Sequence, residues 1–224
     1  MRAMNAPIVI TSLGARRDIN DAVHSYGGIV LHDVINDFFA RKAIEKGADG
    51  LIAVAAGAGG HAGTISPFAL VQEIREWFDG PLLLSGAIAT GNAVLAAQVM
   101  GADLAYMGSA MIATREARAD ERYKQMIVDS NAADIVYSSL FTGVHGNYLR
   151  PSIVNVGLNP DALEQGNASQ MNFGAIDHAG MKAWKDIWGC GQGIGAVKQI
   201  ETVGTLVARI KDEYQSAKSR LAYA

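Results

Sequence analysis

One histidine, His61, stands in Gly57-Ala58-Gly59-Gly60-His61-Ala62-Gly63, a stretch in which four of seven residues are glycine. Glycines let a backbone take positive φ and come within contact distance of a ligand. Imidazole titrates near working pH, so a histidine held on such a loop suits general acid or base work. The same residues also suit a turn whose histidine merely caps or solvates, and the loop alone does not choose. Two further places offer chemistry: Ser85-Gly86-Ala87 and Tyr106-Met107-Gly108-Ser109. Each sets small residues and backbone N–H groups ahead of a helical segment. Unpaired N–H groups and the helix dipole both favour an anion, so the pair reads as a phosphate site. Its competitor is a pair of tight strand-to-helix turns.

The elements that must position these residues repeat one unit: a short apolar run, a turn, then a helical pattern. Strands are expected at 7–12, 29–32, 50–56, 81–84 and 102–107, and helices at about 16–26, 36–46, after Pro67, and 91–100. Gly27-Gly28, Gly47 and Gly101 close the first, second and fourth helices, and Ser66-Pro67 opens the third. Consecutive βα units describe a parallel sheet. Apolar strands without polar alternation mean that both faces are covered. A doubly wound sheet and a (β/α)₈ barrel satisfy this equally, and in both the ligand sits at the carboxyl ends of the strands. His32, the glycine–histidine loop, Ser85-Gly86 and Gly108-Ser109 all fall at such ends.

After Ile112 the repeat stops. An amphipathic helix is expected over 115–129 and a final helix over 203–221. The stretch 141–151 reads as a loop rich in functional side chains, either a lid carrying His145, Tyr148 or Arg150 or a solvated connector. Residues 159–180 are polar and read as an excursion with little regular structure, and 184–195 is dense in glycine. The expected organisation is a βα repeat over 1–114 and a helical and loop extension over 115–224.

Composition narrows the function class. The 224 residues are 50% hydrophobic and 18% charged, with a formal net charge of −3. No basic stripe exists to neutralise phosphates, so a nucleic-acid partner is not expected. Cys190 is the one cysteine, which rules out a disulfide framework or a cysteine metal cluster within the chain. No signal-peptide core and no apolar run of roughly eighteen residues occur, so a cytoplasmic protein without a membrane partner is expected.

Taken together, the glycine–histidine loop, Ser85-Gly86-Ala87-Ile88-Ala89-Thr90-Gly91, Gly101-Ala102-Asp103 with Met107-Gly108-Ser109, and Trp188-Gly189-Cys190-Gly191-Gln192-Gly193-Ile194-Gly195 resemble the nitronate monooxygenases, formerly called 2-nitropropane dioxygenases. The resemblance covers nearly the whole chain. The glycine–histidine loop is also shared with flavin-dependent enoyl-acyl-carrier-protein reductases. It implies an FMN enzyme on a (β/α)₈ TIM barrel that oxidises nitronates or nitroalkanes with O₂, giving a carbonyl compound and nitrite. His61 matches the histidine that takes the α-proton of the nitroalkane. Gly59 and Gly60 match the loop beside the flavin. Ser85, Gly86 and Ala87, with Tyr106, Met107, Gly108 and Ser109, match the segments that hold its phosphate. An imidazole base suffices for the acidic α-proton, and flavin passes electrons between nitronate and O₂.

Three departures stand out. Ala87 replaces a glycine of the family, and Val54 stands where many members carry a glutamine facing the flavin. Five βα units are counted, and the family's phosphate loops follow its seventh and eighth strands. The expectation is therefore a partial barrel of about five units with a helical C-terminal extension. It is explained by truncation, by a start assigned too far downstream, or by completion from another chain. Such a chain is expected to bind FMN poorly or not at all. The alternatives to a nitronate monooxygenase are an NAD(P)H-dependent enoyl-reductase-like flavoenzyme and an inactive remnant or scaffold. Homo-oligomerisation is left open.

Overall fold

The computed structural model describes residues 5–166 and 185–222. Two compact units interleave along the chain. The first comprises residues 1–56, 64–85 and 96–106, and the second 57–63, 86–95 and 107–224.

The first unit is built on five parallel strands: β1 (Ile8–Thr11), β2 (Ile29–Val34), β3 (Gly50–Val54), β5 (Leu82–Ser85) and β6 (Leu104–Tyr106). Helices α1 (Arg17–His24), α2 (Asp37–Glu45) and α3 (Pro67–Arg75) run between them, and α4 (Gly91–Val99) precedes β6. The strands lie side by side in chain order, β1-β2-β3-β5-β6. A doubly wound sheet reverses its order at a switch point, whereas a barrel keeps one direction. The order decides between the two architectures that the sequence left equal. This is an α/β fold of (β/α)₈ type with five of its units, a partial barrel.

Local chemistry accounts for the element ends. The Asn36 side chain accepts the Phe39 N–H and caps α2, and Pro67 occupies the first turn of α3. The Asp103 carboxylate accepts the Leu82 N–H at 2.8 Å and pairs with Arg75, tying the start of β6 to that of β5.

Register assigns the two sheet faces, because successive side chains alternate. One face carries Val30, His32, Val34, Leu51, Ala53, Leu82 and Leu84, all buried. The other carries Leu31, Asp33, Ile52, Val54 and Leu83 at its centre. Towards its edges it turns out Ile8, Ile10 and Ile29 on one side and Leu104 and Tyr106 on the other, each at least 40% exposed. β2 continues to Val34, so His32 is a mid-strand residue and not the strand-end group its sequence position suggested. Its Nδ1 lies 2.6 Å from the Thr11 hydroxyl, and burial, aided by the Lys46 charge, lowers its pKa.

The second unit contains a three-stranded antiparallel sheet, β4-β8-β7, made of β4 (Gly60–His61), β8 (Gly146–Leu149) and β7 (Ile135–Ser138). The extension expected to be helices and loops thus includes a strand pair, and its third strand is the histidine segment itself. Among the described residues the unit also includes the α-helices α5 (Ser109–Ile112), α6 (Glu121–Asp129), α7 (Arg150–Asn155) and α8 (Val203–Ala222). Helix α6 starts six residues later than expected, at Glu121, behind the N-cap Asp120, whose carboxylate accepts the Arg122 N–H. The second unit has its own core of Ala89, Ile127, Leu149, Trp188, Ile194 and Leu206. Of the polar excursion expected over 159–180, residues 167–180 lie outside the described residues, as does Trp184.

Candidate active site

The segment 57–63 is held at many points and does not behave as a free loop. Gly57 and Gly60 take φ of 87° and 70°, the left-handed region that favours glycine. The Gly57 carbonyl accepts two N–H groups, from Gln192 at 2.9 Å and from Ala87 at 3.2 Å. Asn147, on buried β8, donates its side-chain amide to the Ala58 carbonyl at 2.7 Å. Gly60 and His61 pair with Asn147 and Gly146. Ala62 donates its N–H to the His145 carbonyl and accepts the Tyr137 hydroxyl at 2.9 Å.

Gly59 serves a different need. A Cβ there would stand 2.7 Å from the Gly191 nitrogen and 2.9 Å from the Cys190 carbonyl carbon. A Cβ at Gly191 would meet the Gly57 carbonyl at 2.6 Å, and one at Gly193 would meet Ala87 backbone at 2.8 Å. The glycines of 189–195 and those of 57–60 are therefore complementary: each lets the other backbone in. Two motifs more than a hundred residues apart are one packed object.

His61 is half-buried, and its Nε2 lies 2.8 Å from the Thr142 hydroxyl, itself fully buried. Burial lowers the pKa of His61, because a charged imidazolium loses hydration there. At neutral pH the ring is uncharged and able to accept a proton.

The two candidate phosphate turns differ. Ser85 and Tyr106 are register neighbours at the ends of β5 and β6. In the first turn Gly86 and Ala87 have φ of 148° and 53°. Ala87 thus takes a left-handed conformation, at a cost of about 1–2 kcal/mol. Its methyl sits 3.2 Å from where a side chain at Gly57 would stand, and its N–H is committed to the Gly57 carbonyl. The N–H of Gly91, which opens α4, is taken by the Glu213 carboxylate at 2.7 Å. In the second turn Gly108 has open space where a Cβ would stand, which is the room an approaching phosphate needs. Ser109 accepts the Gly191 N–H on its hydroxyl oxygen at 2.9 Å and also hydrogen-bonds the Cys190 thiol. Met107 packs against the core of this unit. A phosphate monoester therefore fits the Gly108–Ser109 turn, while the Ala87 and Gly91 N–H groups are used within the protein.

The stretch 141–151 does fold back, through a residue the sequence reading passed over. Thr142 reaches His61, whereas His145 stacks on Tyr137 with ring centroids 5.0 Å apart, and Arg150 pairs with Asp161. Tyr148 is fully buried, edge-on to Phe141, and burial raises its pKa. Cys190 is buried, and burial pushes its thiol up to about 11, which leaves it unreactive. Asn147 also escaped notice, although an amide between Gly146 and Tyr148 is the kind of residue that satisfies a buried carbonyl. In the first unit Asp33 was overlooked. Its Oδ1 is buried without a partner, and burial raises its pKa to about 6 against a hydrogen bond from Ser12. A carboxylate inside the apolar run Ile29–Val34 was the available signal.

The model of one family, nitronate monooxygenase, matches residues 1–213. Among curated proteins, a "probable nitronate monooxygenase" of Staphylococcus aureus is 30% identical over 109 residues, 44% of this chain and 31% of that protein. Its counterpart in Staphylococcus haemolyticus is 29% identical over 108 residues, 43% of this chain and 30% of the relative. The chain spans less than half the length of the curated relatives it matches. Among solved structures, FabK from Thermotoga maritima aligns with a TM-score of 0.76 at 23% identity, over 97% of this chain and 71% of that one. Nitroalkane oxidase from Streptomyces ansochromogenes aligns with a TM-score of 0.75 at 24% identity, over 96% and 66%. At these identities the structural likenesses speak for the fold.

Proposed function

The chain belongs to the nitronate monooxygenase family, and from that premise we propose that it is an FMN-dependent enzyme oxidising nitroalkanes and nitronates with O₂ to a carbonyl compound and nitrite. The observation that carries the reading is His61: a neutral, half-buried imidazole on a backbone fixed from four directions, bonded to a buried hydroxyl. A base must be unprotonated and held in place, and this ring meets both conditions.

Bound FMN supplies one-electron exchange between the nitronate and O₂. Gly108 and Ser109 would hold its phosphate, with Gly86, Ala87 and Met107 in the adjoining turns and Gly59 and Gly60 in the loop beside it. His61 removes the α-proton of a neutral nitroalkane. The electron pair of the broken C–H bond moves into the nitro group and the proton stays on the ring. The hydrogen bond to Thr142 keeps the imidazole from rotating during that transfer. A preformed nitronate has already lost its α-proton and does not require His61 as base.

The test is flavin absorbance and nitrite release with the purified 224-residue chain, FMN and a nitroalkane. Loss of nitroalkane oxidation in His61→Ala with retained nitronate oxidation supports the reading, and undiminished nitroalkane oxidation overturns it. Reduction of bound flavin by NADPH alone would instead favour the enoyl-reductase-like alternative.

A further inference from the structure

Several hydrogen-bonding groups of the two candidate phosphate turns are spent inside the second unit. The Ala87 N–H is on the Gly57 carbonyl, and the Gly91 N–H is on the Glu213 carboxylate. The Ser109 hydroxyl accepts the Gly191 N–H and is bonded to the Cys190 thiol. Gly108 gives a phosphate room, but a phosphate also presents three strongly accepting oxygens. Between the turns runs Gly191-Gln192-Gly193, within the same unit. The Gly191 N–H reaches Ser109 on one side, and the Gln192 N–H reaches the Gly57 carbonyl at 2.9 Å on the other. A Cβ at Gly193 would meet the Ala87 backbone at 2.8 Å. With glycine on both flanks, the side chain this segment offers is that of Gln192. It lies across the place where Gly57 has none: a Cβ at Gly57 would stand 3.0 Å from Gln192 Oε1, 3.2 Å from the Ala87 methyl and 3.4 Å from Gln192 Cβ. Gly57 has a φ of 87°, which favours glycine, so the place stays open to Gln192. Gln192 is exposed, and its carboxamide makes no hydrogen bond among the described residues. Two amide protons are therefore unspent in a segment that touches both turns.

We propose that Gln192 is a cofactor-binding residue whose side-chain amide donates to the phosphate of FMN. The inference rests on the reading of the chain as an FMN enzyme. An amide donating to an ionised phosphate makes a charge-assisted hydrogen bond, stronger than one between neutral groups. It adds a donor beside turns whose Ala87 N–H and Ser109 hydroxyl are already engaged. The backbone of Gln192 is fixed by its bond to Gly57, so the side chain starts from a set position. Without ligand the amide contributes no hydrogen bond to the protein, so its removal acts on binding and leaves stability alone.

The test compares FMN with riboflavin, which carries the same ring system and ribityl chain without the phosphate. Affinities are measured by flavin fluorescence quenching for the wild-type 224-residue chain and its Gln192→Leu and Gln192→Glu variants. Gln192→Leu keeps much of the bulk and removes the amide. It is expected to weaken FMN about tenfold and to leave riboflavin within about twofold, with an unchanged melting temperature in the absence of flavin. Gln192→Glu sets a carboxylate against the phosphate and is expected to weaken FMN further. Equal FMN affinity in wild type and Gln192→Leu overturns the proposal and leaves the FMN reading standing. Equal losses for FMN and riboflavin, or a wild type that holds riboflavin as tightly as FMN, overturn it because the phosphate is then not the partner. A wild-type chain that binds neither flavin overturns the FMN reading and this proposal with it. Should Gln192→Leu fail to fold, Gln192→Glu, nearly the same shape as wild type, decides by the same comparison.

Discussion

Asn147 and Ala58, 89 positions apart, are joined by a buried 2.7 Å hydrogen bond from the side-chain amide of one to the carbonyl of the other. The bond closes the strand β8 over the glycine–histidine segment and satisfies a carbonyl that has little access to water. Asn147→Leu leaves that carbonyl unpaired. The expected loss is about 1–3 kcal/mol of stability, read by urea denaturation, with faster hydrogen exchange at the Gly60 and His61 amides. Unchanged exchange there would mean that the segment is held by other bonds.

Gly59 and Gly108 separate packing from ligand binding. Gly59→Ala forces a methyl against the backbone of Cys190 and Gly191, neither of which can swing away, so a stability loss of about 1–3 kcal/mol is expected. Gly108→Ala meets nothing within 4 Å and its φ of −113° suits alanine. Its melting temperature should stay within a degree or two of wild type, roughly. If the phosphate of FMN lies against Gly108, its affinity for free FMN falls at least about tenfold, equivalent to about 1.4 kcal/mol. An unchanged Kd by flavin fluorescence quenching would remove Gly108 from the cofactor site.

Burial lowers the pKa of His61 from 6.5, and the base must be unprotonated to act. The acid limb of kcat/KM for a neutral nitroalkane is therefore expected below pH 6.5, with activity falling as the pH drops through it. The same limb should be missing from the profile with a preformed nitronate. An acid limb above pH 7 would contradict a buried, neutral imidazole.

Asp33 sets a second pH dependence, in stability. Its folded pKa of about 6 stands above the ordinary 3.8, so the native state binds the proton more tightly than the unfolded chain does. Stability from this group is full below about pH 4, is lost as pH rises through 6, and stays lost above. Asp33→Asn should raise stability at pH 7–8 by up to about 3 kcal/mol and change little at pH 4. Equal effects at both pH values would show that titration is not the cause.

The edge strand β1 turns Ile8 and Ile10 outward, at 54% and 45% exposure, beside an unpaired edge of the five-strand order. Exposed apolar edges pair with other chains. Ile10→Lys is expected to lower concentration-dependent association in light scattering while leaving the far-UV circular dichroism unchanged. Association that persists would assign it to another surface.

Much of this protein was legible in the sequence because its information there is local. Apolar runs, glycine stops and the Ser66-Pro67 helix start fix βα units within a few residues of where they lie. The family motifs pick out His61 and the two turns, because each needs only a few consecutive residue types. What tertiary structure alone decided was which distant groups meet. The strand order, which separates a barrel from a doubly wound sheet, depends on which edges pair and leaves no mark on any single strand. His32 reads as a strand-end residue until pairing extends β2 to Val34. Thr142 and Asn147 are ordinary polar residues in a glycine-rich stretch, and they acquire meaning only when β8 pairs with Gly60 and His61. The opening glycines, which read as freedom for a ligand, are also the close fit of one backbone against Cys190 and Gly191. A missing side chain is visible in sequence, but the neighbour that requires its absence is not.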